Sequence, residues 1–361
     1  MKIIGVHLYN DYSGSPRVFS QLLRHWVAQG HEVHLLTSQH EGRLSNIEGV
    51  YYHPFYYQWS KNRVKTLLQF LKVNLIIFLK VWQLGKSSEV VYINTLLPFG
   101  AAWAAKIKKT NCIFHLHETS VRPLWFKKFL KNTVKKTATR IIYVSKYLKN
   151  TEGFGLPHEQ VIYNALSDDF FENVTQRQRH ERITDRHILM LASLRAYKGV
   201  EEFITLAQRL PAFTFELVLN ATAEERATFL SRNLPGNLII SPPSKNVHPF
   251  YERAALLLNL SRPDEWVETF GLTLIEAMAY GLPVIAPQVG GPAEIVTQAV
   301  GFQISCYDME RLVQHVQKIM NDTQLYRQLS EAALHEAEKY RKQRFLKQVD
   351  TLLHQTLHQG S

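Results

Sequence analysis

The chain has 361 residues, 45% of them hydrophobic and 20% charged, with two cysteines and a formal net charge of +11. That length suits two domains of roughly 150–200 residues each, and the composition excludes a disordered, collagen-like or disulfide-framed chain. Residues 1–165 hold 22 Lys+Arg against 8 Asp+Glu, a balance of +14, whereas residues 166–361 hold 20 against 23; a polyanionic partner therefore concerns the first half, with a merely solubilising surface as the alternative.

In chain order, IIGVHL (3–8) reads as a buried strand, too short and without the cleavage site of a signal peptide. The loop SGSP, with Gly14, leads into a helix at 16–30 that carries Pro in its first turn and Gly30 at its end. Strands at 32–38, 89–95, 112–118 and 140–145 alternate with helical stretches, which predicts a parallel, doubly wound α/β sheet. Two segments leave a choice. Residues 64–82 are very apolar but interrupted by Lys72 and Lys80. They suit an amphipathic helix, packed in the domain by preference or lying on a membrane interface, rather than a spanning one. Residues 126–136, FKKFLKNTVKK, read as a solvated basic helix face, with membrane contact as the second reading. The polar stretch 166–186 reads as a linker. A second α/β series then offers strands at 187–193, 213–220, 237–241, 255–261, 282–287 and 301–305, followed by long polar helices.

The chemistry concentrates in VETFGLTLIEAMAYGLPV (267–284). Gly281 and Pro283 close a helix that begins near 270–273, which leaves Glu268 in the preceding loop and Glu276 on the second turn. Backbone N–H groups at Gly271, Leu272 and Thr273 form a helix N-terminus, which attracts phosphate. A carboxylate on either side of an anion site suits a molecule with a phosphate centre and hydroxyls at both ends, the shape of a nucleotide sugar. The pair's spacing alone is a weak signal.

The longer segment EWVETFGLTLIEAMAYGLPVIAPQVGGPAEIV resembles the donor-site motif of retaining glycosyltransferases of the GT-B class, family 4 (glycosyl transferases group 1). The resemblance extends more loosely over nearly the whole chain. It implies a GT-B α/β fold: two Rossmann-like domains facing across a cleft, at 1–165 and 183–342, with a C-terminal helix of about 343–361 returning to the first. It implies that Glu268 faces the transferred sugar, that Glu276 holds the ribose hydroxyls, and that the amides after Phe270 hold diphosphate or sugar. Lys198, in LRAYKGVEEF, stands where the family neutralises the diphosphate. Gly14 corresponds to the glycine loop that faces the donor phosphate, His117 to an active-site histidine near the sugar, and Asn164 to the asparagine that ends the first domain. Three positions depart from the pattern. Ala192 and Ser193 occupy the family's Gly-Arg sites, leaving Arg195 as the arginine within reach of the phosphates. NATAEE (220–225) replaces a glycine-rich turn, and SGSP replaces a double glycine.

The resulting expectation is a cytoplasmic, metal-independent hexosyltransferase without a cofactor, peripheral at the inner membrane face. It would move sugar from a UDP- or GDP-sugar to a glycan or lipid-linked acceptor in bacterial surface polysaccharide synthesis. The alternatives are a same-fold enzyme with a small soluble acceptor, a nucleotide-sugar epimerase, and a non-catalytic sugar-nucleotide-binding subunit. A nucleic-acid partner is not expected, because no recognised binding motif accompanies the basic half.

Overall fold

The computed structural model describes residues 1–58, 60, 62–85, 88–118, 121–174 and 183–358. Two compact units emerge, Met1–Asn164 with Lys342–Ser361, and Ala165–Arg341.

The first unit is built on strands β1 (Lys2–Val6), β2 (Glu32–Ser38), β3 (Val50–Phe55), β4 (Val90–Asn94), β5 (Asn111–Leu116), β6 (Arg140–Tyr143) and β7 (Glu159–Val161). They run parallel in the order β3-β2-β1-β4-β5-β6-β7. The central strands are apolar on both faces because helices cover both, as parallel sheets require. The helix Gly14–Ala28 lays Phe19 and Trp26 on Tyr92, with ring centroids 5.7 and 5.1 Å apart. The chain winds outward through β1, β2 and β3, then returns to the other side of β1 at β4. That reversal opens a crevice at the carboxyl ends of β1 and β4, where open α/β sheets bind ligands. The last helix, Lys342–His358, belongs to this unit: Asp350 accepts from His25 at 2.8 Å and from Gln29 at 3.2 Å. Of the C-terminal segment expected at 343–361, residues 359–361 lie outside the described residues.

The second unit repeats the plan. Strands β8 (His187–Ser193), β9 (Thr214–Asn220), β10 (Leu238–Ser241), β11 (Leu256–Leu258), β12 (Val284–Ala286) and β13 (Gly301–Gln303) are parallel in the order β10-β9-β8-β11-β12-β13. The order reverses between β8 and β11, so the crevice lies at their carboxyl ends.

Two expectations change. The strands β3 and β7 were not anticipated; both are sheet edges, half exposed, and lack a two-sided apolar run. The stretch 166–186 is not simply a linker. Asp168–Glu172 is a helix that seats Phe170 against His248, Tyr251 and Tyr280 of the second unit, while residues 175–182 lie outside the described residues. The apolar segment 64–82 is the helix Arg63–Leu84, and it is packed on one side only. Phe70, Val73, Ile77 and Val81 are buried, whereas Val64, Leu68, Leu71, Leu75 and Leu79 form an exposed stripe at helical spacing. Among the described residues, no helix is long and apolar enough to cross a membrane.

Candidate functional site

In the second unit the crevice brings together three chain segments. The turn after β8 presents Lys198, the loop after β11 presents Asn259 and Ser261, and the approach to the helix Leu272–Ala279 presents Glu268. The Glu268 carboxylate receives Asn259 Nδ2 at 2.9 Å, Lys198 Nζ at 3.3 Å and Ser261 Oγ at 3.3 Å. Burial pushes against its charge, but the Lys198 ammonium and the three donors outweigh that, and the carboxyl is held below its usual range. Glu268 is thus an ionised group at the strand ends.

The backbone explains why the segments meet. Gly199 has φ +75°, and a Cβ there would stand 2.0 Å from the Leu260 carbonyl oxygen, so only glycine lets the Lys198 turn rest on the β11 loop. Gly290 and Gly291 do the same for the other wall. Gly291 N–H donates to the Glu268 carbonyl at 2.9 Å, and side chains at either glycine would overlap the Glu268–Phe270 backbone. Tyr197 stacks on Trp266 at 5.3 Å, and Arg262 ties the loop down through Glu202 and Glu265 at 2.8 and 2.7 Å.

Gly271 caps the helix Leu272–Ala279 with φ +112°, no side chain closes that end, and no acid occupies its first turn. Phe270 is buried, and the Leu272 and Thr273 amides belong to this open, partly positive terminus. Glu276 is 3% exposed and accepts the Tyr251 hydroxyl at 2.6 Å. A surface role for it is excluded. Arg195 is exposed, and its charge registers on Glu225 rather than on the Glu268 cluster. The NATAEE departure has a structural purpose: Thr222 and Glu225 form a reciprocal capping box that starts the helix Ala223–Leu230.

In the first unit, His117 follows β5 and donates from Nε2 to Asn94 Oδ1 at 2.9 Å. Asn94 also meets His7 Nδ1 and the Ser15 carbonyl. Burial holds His117 and His7 below the usual histidine range, and pushes the neighbouring His115 down to about 3. These imidazoles are neutral at physiological pH. Gly14 starts the helix Gly14–Ala28 without a side-chain cap, and its neighbours Ser13 and Ser15 line a cavity of about 160 Å³. Asn164 is buried and is the last residue of the first stretch of this unit.

Sequence reasoning passed over Asn259, Ser261, Tyr251, Glu118 and the Gly290-Gly291 pair. The signal for the first two was present in LLLNLS, where polar residues interrupt an apolar strand at its carboxyl end.

Comparison with known proteins assigns both halves. The model of Glycosyltransferase Family 4 matches residues 12–170, and that of Glycosyl transferases group 1 matches residues 173–336. N-acetyl-alpha-D-glucosaminyl L-malate synthase of Bacillus anthracis is 23% identical, over 98% of this chain and 97% of its own. Among solved structures, Anabaena Alr3699/HepE in complex with UDP-glucose is similar at a TM-score of 0.80, with 19% identity over 98% of this chain and 100% of that one. Sucrose-phosphate synthase from Thermosynechococcus elongatus gives 0.79 and 18% identity, over the whole of both chains. The shared fold is GT-B: parallel sheets, here of seven and six strands, each covered by helices.

Proposed function

This chain belongs to the glycosyl transferases group 1 family, and from that premise we propose that it moves a hexosyl group from a nucleotide sugar to a glycan or lipid-linked acceptor, with retention at the anomeric carbon. The observation that carries the reading is the Glu268 carboxylate, held ionised by Lys198 and Asn259 beside the open helix end at Gly271. In this reading Glu268 receives the sugar hydroxyls, and Lys198 with the amides of Gly271, Leu272 and Thr273 holds the diphosphate. Glu276 takes the ribose, and Gly14, at an uncapped helix start, meets donor phosphate. His117 lies near the sugar, and Arg195 supplies further positive charge from its loop. The acceptor oxygen attacks from the face the diphosphate leaves, and the departing phosphate takes its proton. Charge on the diphosphate is met by these groups without a resident metal. UDP-sugars are the first donors to test, because Alr3699/HepE is solved with UDP-glucose.

Titrating UDP, GDP and ADP by calorimetry tests the donor assignment. Glu276→Ala should weaken nucleotide affinity by about 1–3 kcal/mol, the range for losing a charge-assisted hydrogen bond. A folded variant with unchanged affinity would remove Glu276 from the ribose site and leave it as the partner of Tyr251.

The setting proposed is the inner membrane face, in synthesis of a surface polysaccharide. The exposed stripe of the helix Arg63–Leu84 supports it, together with exposed Leu124, Trp125 and Phe129 on the helix Leu124–Thr137. Phe70 joins the two helices through Phe126, at 5.4 Å between ring centroids. Lys127 and Lys131 pair with buried Glu152 at 2.5 and 3.2 Å, which leaves Lys128, Lys135 and Lys136 as the exposed cations of this helix. Neutralising those three should reduce co-sedimentation with acidic liposomes, and salt should release the wild type. Equal binding to acidic and neutral liposomes, or none to either, would make the +14 balance a solubility feature.

A further inference from the structure

The cavity at the switch point of the first unit has a lining that specifies its occupant. Its walls include His7, Asp11, Ser13, Ser15, Thr95 and Glu118, and among the described residues no Lys or Arg contributes to it. About 160 Å³ is room for on the order of ten water-sized positions, enough for one sugar ring. We propose that this cavity takes an uncharged, hydroxyl-bearing end of the glycosyl acceptor, that the Glu118 carboxylate accepts the hydrogen bond of the attacking hydroxyl, and that anionic acceptors are turned away. The inference rests on the glycosyltransferase reading and adds the acceptor's chemical class to it.

Charge decides the class. The two ionisable acids of the lining, Asp11 and Glu118, face the cavity with no Lys or Arg among its described lining residues, and burial keeps His7 neutral. A carboxylate or phosphate entering there would meet like charge in a partly dehydrated site, which works against binding. A sugar hydroxyl meets acceptors instead: two carboxylates and the Ser13, Ser15 and Thr95 oxygens. Asp11 is already oriented, since Ser13 donates to it through its backbone N–H at 2.9 Å and its hydroxyl at 2.5 Å.

Glu118 is built for accepting. The His117 backbone N–H donates to it at 3.3 Å, and among the described residues no Lys or Arg pairs with it. Burial pushes its carboxyl up to about 7, with the amides of His117 and Leu96 pulling the other way. The titratable groups around it are Asp11, His7 and Tyr9 on the cavity wall and the adjacent His117, and the two histidines are neutral. Thr95, on the cavity wall, holds φ +148°, which a β-branched residue rarely adopts; such strain persists where the surroundings enforce it, often at ligand sites. In the transfer, the acceptor oxygen bonds to the anomeric carbon as that carbon's bond to the diphosphate oxygen breaks. The electron pair leaves with the diphosphate, which also takes the hydroxyl proton. Glu118 orients the oxygen and ends unchanged.

The test is saturation-transfer NMR on the full chain with methyl glucoside, methyl galactoside and methyl N-acetylglucosaminide as probes, which needs no donor turnover. At least one should bind, more strongly at pH 8 than at pH 6, because the accepting form of Glu118 grows as pH rises through about 7. Glu118→Gln should lose at least tenfold in affinity and the pH dependence with it. Leu97→Trp, which narrows the cavity and leaves both carboxylates in the chain, should lose binding equally, with thermal melting confirming that both variants fold. L-malate should displace nothing. Binding unaltered in both folded variants, displacement by L-malate, or no signal from any probe would overturn the proposal. Separately, a wild type that binds a methyl glycoside but no nucleotide would overturn the donor reading and leave the cavity assignment standing.

Discussion

Lys198→Ala is expected to lower kcat by about 10²–10³-fold and to move the donor's KM much less. The reasoning is electrostatic. Negative charge on the diphosphate grows as the sugar departs, so a fixed ammonium contributes more in the transition state than in the ground state. Lys198 is fixed on both sides: Gly199 clamps its turn onto Leu260, and Glu268 holds its Nζ at 3.3 Å. The variant has a second expected signature. Without the ammonium, burial pushes the Glu268 carboxyl upward from its depressed position. The acid limb of the pH–rate profile should therefore move to higher pH, because Glu268 protonates sooner as pH falls. Steady-state kinetics from pH 5 to 8 with the best donor would show both effects. An unchanged kcat with a raised KM would make Lys198 a binding residue only.

What the sequence revealed follows the physics of burial. The interior strands β8, β11 and β12 of the second unit stand out as short apolar runs, and HILMLAS coincides with β8 to the residue. Edge strands such as VYYHPF alternate polar and apolar residues around a proline, which reads as a loop. Glu268 and Glu276 were legible because carboxylates beside an apolar helix demand a partner. Their partners were not, because Asn259, Ser261 and Tyr251 are ordinary residue types brought in by topology from up to 25 positions away. The helix Arg63–Leu84 was legible as amphipathic, but not which of its apolar residues are covered. Its leucines and isoleucines lie on both sides, and contacts from distant elements mark the buried seam, among them Asn74 on Gly100, where Oδ1 takes the amide at 3.0 Å. Glu118 was hidden by its more conspicuous neighbour His117.

Glu216→Ala is expected to destabilise the second unit by about 3 kcal/mol, the upper range for losing hydrogen bonds to a charged group, since Glu216 is buried while Arg253 stays partly exposed. Glu216 stands on β9, 1% exposed, and its two oxygens are fully engaged. Arg253 donates through Nε at 2.7 Å and Nη2 at 2.5 Å, Ser241 Oγ at 2.5 Å and His187 Nε2 at 2.9 Å. Burial works against the charge, yet these donors together bring the carboxyl down to about 2. The sign of the pH dependence follows. A carboxylate whose folded pKa lies below its unfolded value stabilises the fold above the unfolded pKa, and that contribution is lost as pH falls toward the folded one. From about pH 4.5 down to about 2 the wild type should therefore surrender about 3 kcal/mol through this residue. Glu216→Gln keeps the shape and most of the donors' partners but cannot change charge, so its stability should be lower at pH 7 and flatter over that acid range. Calorimetric scans should place the loss in one transition, a shift of about 10 °C for a unit of this size, with the first unit's transition unmoved if the two melt separately. A glutamine variant that tracks the wild type down to pH 3 would show that the ion cluster contributes nothing net, the desolvation of Glu216 having cancelled its pairing.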